Sequence, residues 1–297
     1  MGEFAALATS VCWSLTSIQF TLAGRRIGST IVNRVRLVMA VVFLSLAHLV
    51  LYGQLWPLDA ELFRWGWLGL SGTIGLVIGD TCLFQAFVLI GPRRSMLIMT
   101  SVPVISTLLA WVWLGEALNP LEIAAILLTV GGIAWVVAER QPEGSAPADS
   151  QREYALGILL GLGGAAGQAL GLVTAKQGLV GDFPSLSAAL IRMMIASVAI
   201  WLVTLVQRQA GPTLRSLRDR RTIGLLVLGT LTGPFAGVWL SMAAVQNTAV
   251  GIASTLMALS PIKLIPLERW VFDERVSPRA VIGTVIALAG SAMIFLT

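Results

Sequence analysis

The sequence predicts an all-α integral membrane protein of ten transmembrane helices, built as two inverted five-helix repeats. Three observations carry that prediction. Of 297 residues, 56% are hydrophobic and only 12% are charged, about half the charged share of a soluble domain. Too little polar surface remains to face water. The apolar runs reach the roughly 20 residues that a helix needs to cross a bilayer. Finally, Pro103, Glu116 and Pro120 recur as Pro261, Glu274 and Pro278, with the same spacings of thirteen and four, which marks an internal repeat.

The elements follow from apolar runs bounded by charges or Pro/Gly clusters. The first run, 4–23, stops at Gly24-Arg25-Arg26, and the second, 32–52, at Gly53. The third, 65–89, ends at GPRR, and the fourth, 95–114, at the Glu116–Pro120 corner. The fifth, 120–138, opens on a proline and closes on Glu139-Arg140. The stretch ERQPEGSAPADSQRE, 139–153, is polar and rich in Pro, Gly, Ser and acids, as a solvated linker is. It divides a first repeat, 1–138, from a second, 154–297. The second repeat supplies runs at 154–176, 184–206, 222–245, 249–270 and 279–296. Each is longer than the 9–11 residues a barrel strand uses.

A shift of 158 carries Gly75 and Gly79 onto Gly233 and Gly237, and Gly132 onto Gly290. A shift of 156 carries Arg36 onto Arg192. Five spans is an odd number, so the second repeat enters the membrane upside down, as in many secondary transporters with a midplane site between the halves. Loop charges orient the bundle. The loops after spans 1, 3, 5, 7 and 9, with the span ends beside them, hold fifteen arginines, and the opposite loops and span ends hold only Arg64 and Lys176. Basic loops stay cytoplasmic, so both termini are expected outside the cytoplasm.

The net charge of +5 and pI near 10 do not point to nucleic acid, because the arginines occupy short loops rather than one basic face. Cys12 and Cys82 lie in apolar runs as small packing residues. The one histidine, His48, closes an apolar run, and no His/Cys/carboxylate cluster has metal spacing. No cofactor is implied. No Walker A pattern occurs, and the N-terminus MGEFAALATS lacks the basic region of a cleaved signal peptide.

The segment SVPVISTLLAWVWLGEALNPLEIAAILLTVGGIAWV, its more degenerate copy in the second half, and CWSLTS in the first span resemble the EamA branch of the drug/metabolite transporter superfamily. The resemblance spans nearly the whole chain. It implies a ten-helix bundle in which spans 1, 3, 4, 6, 8 and 9 line a cavity and spans 5 and 10 lie outside. Similarity to bacterial amino-acid exporters in that family implies export of aromatic or other neutral amino acids across the inner membrane. Members are often given cytoplasmic termini, which the loop charges here oppose.

Candidate cavity residues are Trp13, Ser14 and Ser17 on span 1, Gln168 on span 6 and Trp239 on span 8. An indole, hydroxyls and an amide suit an apolar side chain and an amino-acid head group, although interhelical hydrogen bonding uses the same residues. Met99 and Met257 fall one turn before Pro103 and Pro261, as adaptable cavity walls or as core. The two prolines are candidate gating hinges, with an inherited packing kink as the alternative. Glu116 and Glu274, at span ends, suit capping or loop tethering. Arg36 and Arg192 are expected to snorkel to the interface as structural residues. Asp80 and Lys263 reach similar depth and are expected to face the cavity, because an isolated charge there costs at least about 2.5–3.5 kcal/mol; they are read either as a pair in which Asp80 exchanges Lys263 for a proton or a substrate amine, or as a fixed ion pair or two unrelated residues each solvated by cavity water.

The reading is a secondary transporter of small neutral or aromatic amino acids and related metabolites, working by alternating access in the lipid bilayer, with protons as a further candidate partner. A nucleotide-sugar or sugar-phosphate exchanger would need several cavity cations, and no deep arginine pair is expected. An intramembrane enzyme would need a nucleophile–base pair or paired carboxylates, which the sequence does not offer. A phosphatase fused after Thr297 is expected to be active and a fluorescent protein dark. Bright cytoplasmic fluorescence would reverse the orientation and leave the repeat untouched.

Overall fold

The computed structural model describes residues 1–105, 108–109, 120–137, 151–247, 253, 256–272 and 277–293. Among them no strand occurs. The helices are α1 (Gly2–Ile27), α2 (Ser29–Tyr52), α3 (Leu62–Ile90), α4 (Pro92–Ile98), α5 (Pro120–Val137), α6 (Gln151–Gly178), α7 (Ser185–Val206), α8 (Arg220–Asn247), α9 (Ser260–Phe272) and α10 (Pro278–Met293). Six of these, α1, α2, α3, α6, α7 and α8, are long and apolar enough to cross a membrane, and α5 and α10 contain shorter apolar helices. The chain is therefore an all-helical, multi-pass membrane protein.

Boundaries differ from expectation in three places. Gln151–Glu153, read as linker, form the first turn of α6. A short helix, Ala210–Arg215, occupies the basic loop before α8. The run expected as one helix over 249–270 is interrupted by a turn at 258–259, after which α9 begins. Glu116, Glu274 and most of the linker lie outside the described residues.

Helix ends use familiar chemistry. Gly91 has φ 82°, a value that L side chains rarely adopt, and it turns α3 directly into α4, where Pro92 takes the first position. Asp219 caps α8, accepting from the Arg221 and Thr222 amides at 3.1 and 3.2 Å. It also accepts from Arg26 at the end of α1 at 3.0 Å. The Thr222 hydroxyl, at 2.6 Å, leads these donors in holding the Asp219 carboxyl below its usual range.

The repeat is written into the packing. Both α3 and α8 contain one π-helical turn, Thr73–Gly79 and Leu231–Gly237, at positions related by the same shift of 158. Each widens its helix opposite a close neighbour. Along α3, Gly79 meets Gly167 and Gly75 meets Gly171 on α6, backbone against backbone. Along α8, Gly237 meets Trp13 and Gly233 meets Thr16 on α1. The hydroxyl ties correspond with donor and acceptor helices exchanged. Ser71 on α3 donates to the Gly171 carbonyl at 2.5 Å, and Thr16 on α1 donates to the Gly229 carbonyl at 2.5 Å.

Helices α5 and α10 meet reciprocally. A Cβ on Gly132 would stand 2.5 Å from Ala287 N and 2.8 Å from Gly283 O. A Cβ on Gly290 would stand 2.5 Å from Thr129 N and 2.8 Å from Ala125 O. Ala125, Thr129 and Gly132 become Gly283, Ala287 and Gly290 under the 158 shift, so each helix offers the other the same face. Small residues here let two backbones touch where lipid offers no hydrophobic drive. Gly132→Ala is therefore expected to destabilise the protein by about 1–3 kcal/mol through overpacking. Gly131→Ala, with nothing within 4 Å of the added carbon, is expected to be near neutral. Thermal unfolding in one detergent compares the two, and equal melting points would refute the close contact.

Candidate functional site

A cavity of about 110 Å³ lies where α1, α2, α3, α4, α6, α7, α8 and α9 converge. Its walls are mostly apolar: Phe20, Phe84, Phe87, Met96, Leu76 and Val238. Phe84 stands between the other two phenyl rings, with centroids 5.2 Å from Phe20 and 5.6 Å from Phe87. The polar wall is small and consists chiefly of Arg36, Asp80, Gln168 and Arg192.

Asp80 is the first residue beyond the π-turn of α3, whose extra residue re-aims the helix that follows. Its two oxygens serve different helices. Oδ2 accepts from Arg36 Nη2 on α2, and Oδ1 accepts from Gln168 Nε2 on α6 at 2.6 Å. Gln168 Nε2 also donates to Gly75 O at 3.3 Å, a carbonyl inside the π-turn. Arg36 is satisfied further: Nε donates to Asn33 Oδ1 at 2.9 Å, Nη2 reaches Leu76 O at 3.3 Å, and the guanidinium lies 4.8 Å from the Phe84 centroid. Asn33 in turn donates to Leu76 O at 3.1 Å and to Thr81 Oγ1 at 2.8 Å. Arg36 is 2% exposed and Asp80 6%. A carboxylate so deep needs such partners, because desolvation would otherwise exceed the Coulomb gain.

The structure overturns the expected Asp80–Lys263 pair. Asp80 pairs with Arg36, and Lys263 instead donates to Ser10 Oγ on α1. Equal depth does not fix azimuth: Asp80 lines the cavity and Lys263, expected there too, does not. Snorkelling of Arg36 and Arg192 is overturned as well. Both are 2% exposed and both line the cavity, because α2 and α7 present them inward, toward Asp80, rather than toward the interface. With them falls the expectation that no deep arginine pair exists.

The other candidates divide. Trp13, Met99, Pro103, Gln168, Met257 and Pro261 join Asp80 around the cavity. Ser14, Ser17 and Trp239 do not line it. Ser14 Oγ donates to Ser10 O and Ser260 O, and Ser17 Oγ to Ser14 O. Trp239 packs on Phe235, centroids 6.0 Å apart. Phe20, Phe84, Phe87, Ser241 and the arginine pair also line the cavity and were not expected there from the sequence. The arginines carried a signal, since they recur at corresponding places inside apolar runs.

Neither proline breaks an otherwise continuous helix. Each stands just after an existing break. Pro103 has no N–H for Met99 O, and Val102 N–H takes that carbonyl in the 3-10 turn Met99–Ser101. Pro261, in the first turn of α9, leaves Met257 O, and the Ser260 hydroxyl donates to it at 3.0 Å. The orphaned carbonyls thus belong to Met99 and Met257, which correspond under the 158 shift and both border the cavity.

The chain matches the EamA-like transporter family over residues 1–138 and 155–296. No curated protein matches it. Among solved structures, one described only as "Crystal structure of protein" shares 14% identity, covers 99% of this chain and 96% of its own, and superposes with a TM-score of 0.65, a likeness of fold. With the family spanning both repeats and an all-helical apolar architecture around one cavity, the chain belongs to the EamA-like transporter family and is a multi-pass membrane transporter of the drug/metabolite type.

Proposed function

We propose that this transporter exports small neutral or aromatic amino acids and related metabolites across the cell inner membrane by alternating access. Both termini then face away from the cytoplasm, as the loop arginines require. The observation that carries the reading is the composition of the cavity. Phenyl rings and flexible methionines offer an adaptable apolar bed, and one compact cluster of Arg, Asp, Gln and Arg offers fixed polar contacts. An amphipathic solute with one head group and one apolar side chain matches both parts.

The paired breaks before Pro103 and Pro261 support alternating access. The first is a 3-10 turn, a recurrent hinge inside helices, the second is a turn at 258–259, and the two occupy corresponding places in the two repeats, against the cavity. The arginine pair gives some support to a second reading, exchange of phosphorylated metabolites. Asp80 already neutralises one of the two guanidinium groups, so the polar wall suits one negative charge better than a phosphate dianion.

Counterflow into proteoliposomes preloaded with leucine, phenylalanine, threonine and a sugar phosphate tests the proposal. Uptake of at least one of the amino acids is expected. Exchange of the sugar phosphate alone would reverse the two readings. Asp80→Asn is expected to lower the yield of folded protein, because it strands Arg36 in the bundle, a loss of about 3–5 kcal/mol for a broken buried pair. Asp80→Asn combined with Arg36→Met is expected to recover much of that yield by removing the stranded charge. If yield stays low in the double variant, the pair does more than balance charge.

A further inference from the structure

The two repeats differ where it matters for a ligand. Arg36 and Arg192 correspond under the shift of 156, and the residues that satisfy Arg36 have their own counterparts. Asn33, which accepts from Arg36 Nε, becomes Ala189. Asp80, which takes the charge of Arg36, becomes Val238 under the 158 shift of the π-turns. Arg192 has therefore lost both partners that its twin retains. Its Nη1 meets only a soft acceptor, Met242 Sδ, at 3.3 Å, and its buried Nε has no partner among the described residues. Arg192 is 2% exposed and lines the cavity. Its surroundings have no slack: a Cβ on Gly72 would stand 2.4 Å from Arg192 O, so α3 and α7 touch and the backbone of Arg192 is fixed.

The charges along the wall do not balance. Arg36, Asp80 and Arg192 sum to one positive charge, and Asp80 has both oxygens bonded to Arg36 and Gln168. A buried guanidinium with an open donor is costly unless an anion arrives, and a carboxylate matches its planar fork.

We propose that Arg192 is the anion anchor of this cavity, and that the carboxylate of the transported solute takes the place left by Val238, the counterpart of Asp80. The carried class is then monocarboxylates with an apolar side group, zwitterionic amino acids included, while esters, amides and simple amines of the same shape are excluded. The inference rests on the transport reading above, but it is tested by binding alone.

Purified full-length protein is titrated with leucine, isocaproate, leucine methyl ester, isocaproamide and isobutyl phosphate, and thermal stabilisation gives each affinity. Leucine and isocaproate are expected to bind at least roughly tenfold more tightly than the ester and the amide, the scale of one charge-assisted contact. Arg192→Gln should abolish that difference by weakening the acids, and Arg192→Lys should keep part of it. If Arg192→Gln does not fold, the wild-type series decides: an ester or amide bound as tightly as the acid overturns the anchor. No stabilisation by any carboxylate overturns it too, as does tighter binding of isobutyl phosphate than of isocaproate. Carboxylate-selective binding without amino-acid counterflow would keep the anchor and refute the transported class. Counterflow of leucine with equal competition by its ester would do the reverse.

Discussion

The surroundings of Asp80 depend on how closely α3 and α6 approach. Gly79 and Gly75 lie against Gly167 and Gly171 with only backbone between them. That proximity brings Gln168 within 2.6 Å of Asp80 and within 3.3 Å of the Gly75 carbonyl. Replace any of these glycines with a larger residue and the amide withdraws, Asp80 loses a donor, and the carboxylate faces hydrocarbon with Arg36 as its one remaining bonded partner. Lipid supplies no water to fill such a gap. The π-turn of α3 shares in the same constraint through Gly75, whose carbonyl Gln168 reaches from α6, while the Leu76 carbonyl of the same turn accepts from Asn33 and Arg36 on α2.

Duplication gave this chain a symmetric frame, and divergence made the frame useful. Between α5 and α10 the frame is nearly intact: Gly132 and Gly290 make the same contact from opposite sides. The π-turns agree residue for residue in position. Around the cavity the halves part. One half holds Asn33, Arg36 and Asp80 as a satisfied set, and the other holds Ala189, Arg192 and Val238. One half thus stabilises the bundle with an internal ion pair. The other keeps a cation without its internal acid.

Much of the fold was legible because hydropathy and loop charge are local signals. Ten runs were expected, and a described helix lies in each. Interruptions were harder to read. The π-turns leave no mark on composition, and the break at 258–259 is hidden in continuous apolar sequence. The site was legible where symmetry pointed to it. Met99 and Met257, Pro103 and Pro261 were identified from their spacing, and all four line the cavity. Charges were misread for a geometric reason. Depth along a helix follows from counting residues, but the direction a side chain faces depends on which helix stands beside it. Hence Asp80 was matched to Lys263 at equal depth, while its partner on α2 was assigned to the interface.

The two helix breaks are unequally tethered. At the second, Ser260 Oγ donates to Ser10 O at 3.1 Å, Ser14 Oγ donates to Ser260 O at 3.0 Å, and Lys263 Nζ donates to Ser10 Oγ. These contacts staple the start of α9 to α1, although the single protons of Ser14 and Ser260 are shared with Ser10 O and Met257 O within their own segments; a full interhelical bond in a membrane averages about 0.6 kcal/mol. At the first break, the counterparts of Ser260 and Lys263 are Val102 and Ile105, whose side chains can make no such bond. A tilt at the second break must carry α1 along or rupture the staple, while a tilt at the first meets no such tie from Val102 or Ile105. Mechanically, one half of the molecule is a lever with its neighbour attached, and the other is a loose joint.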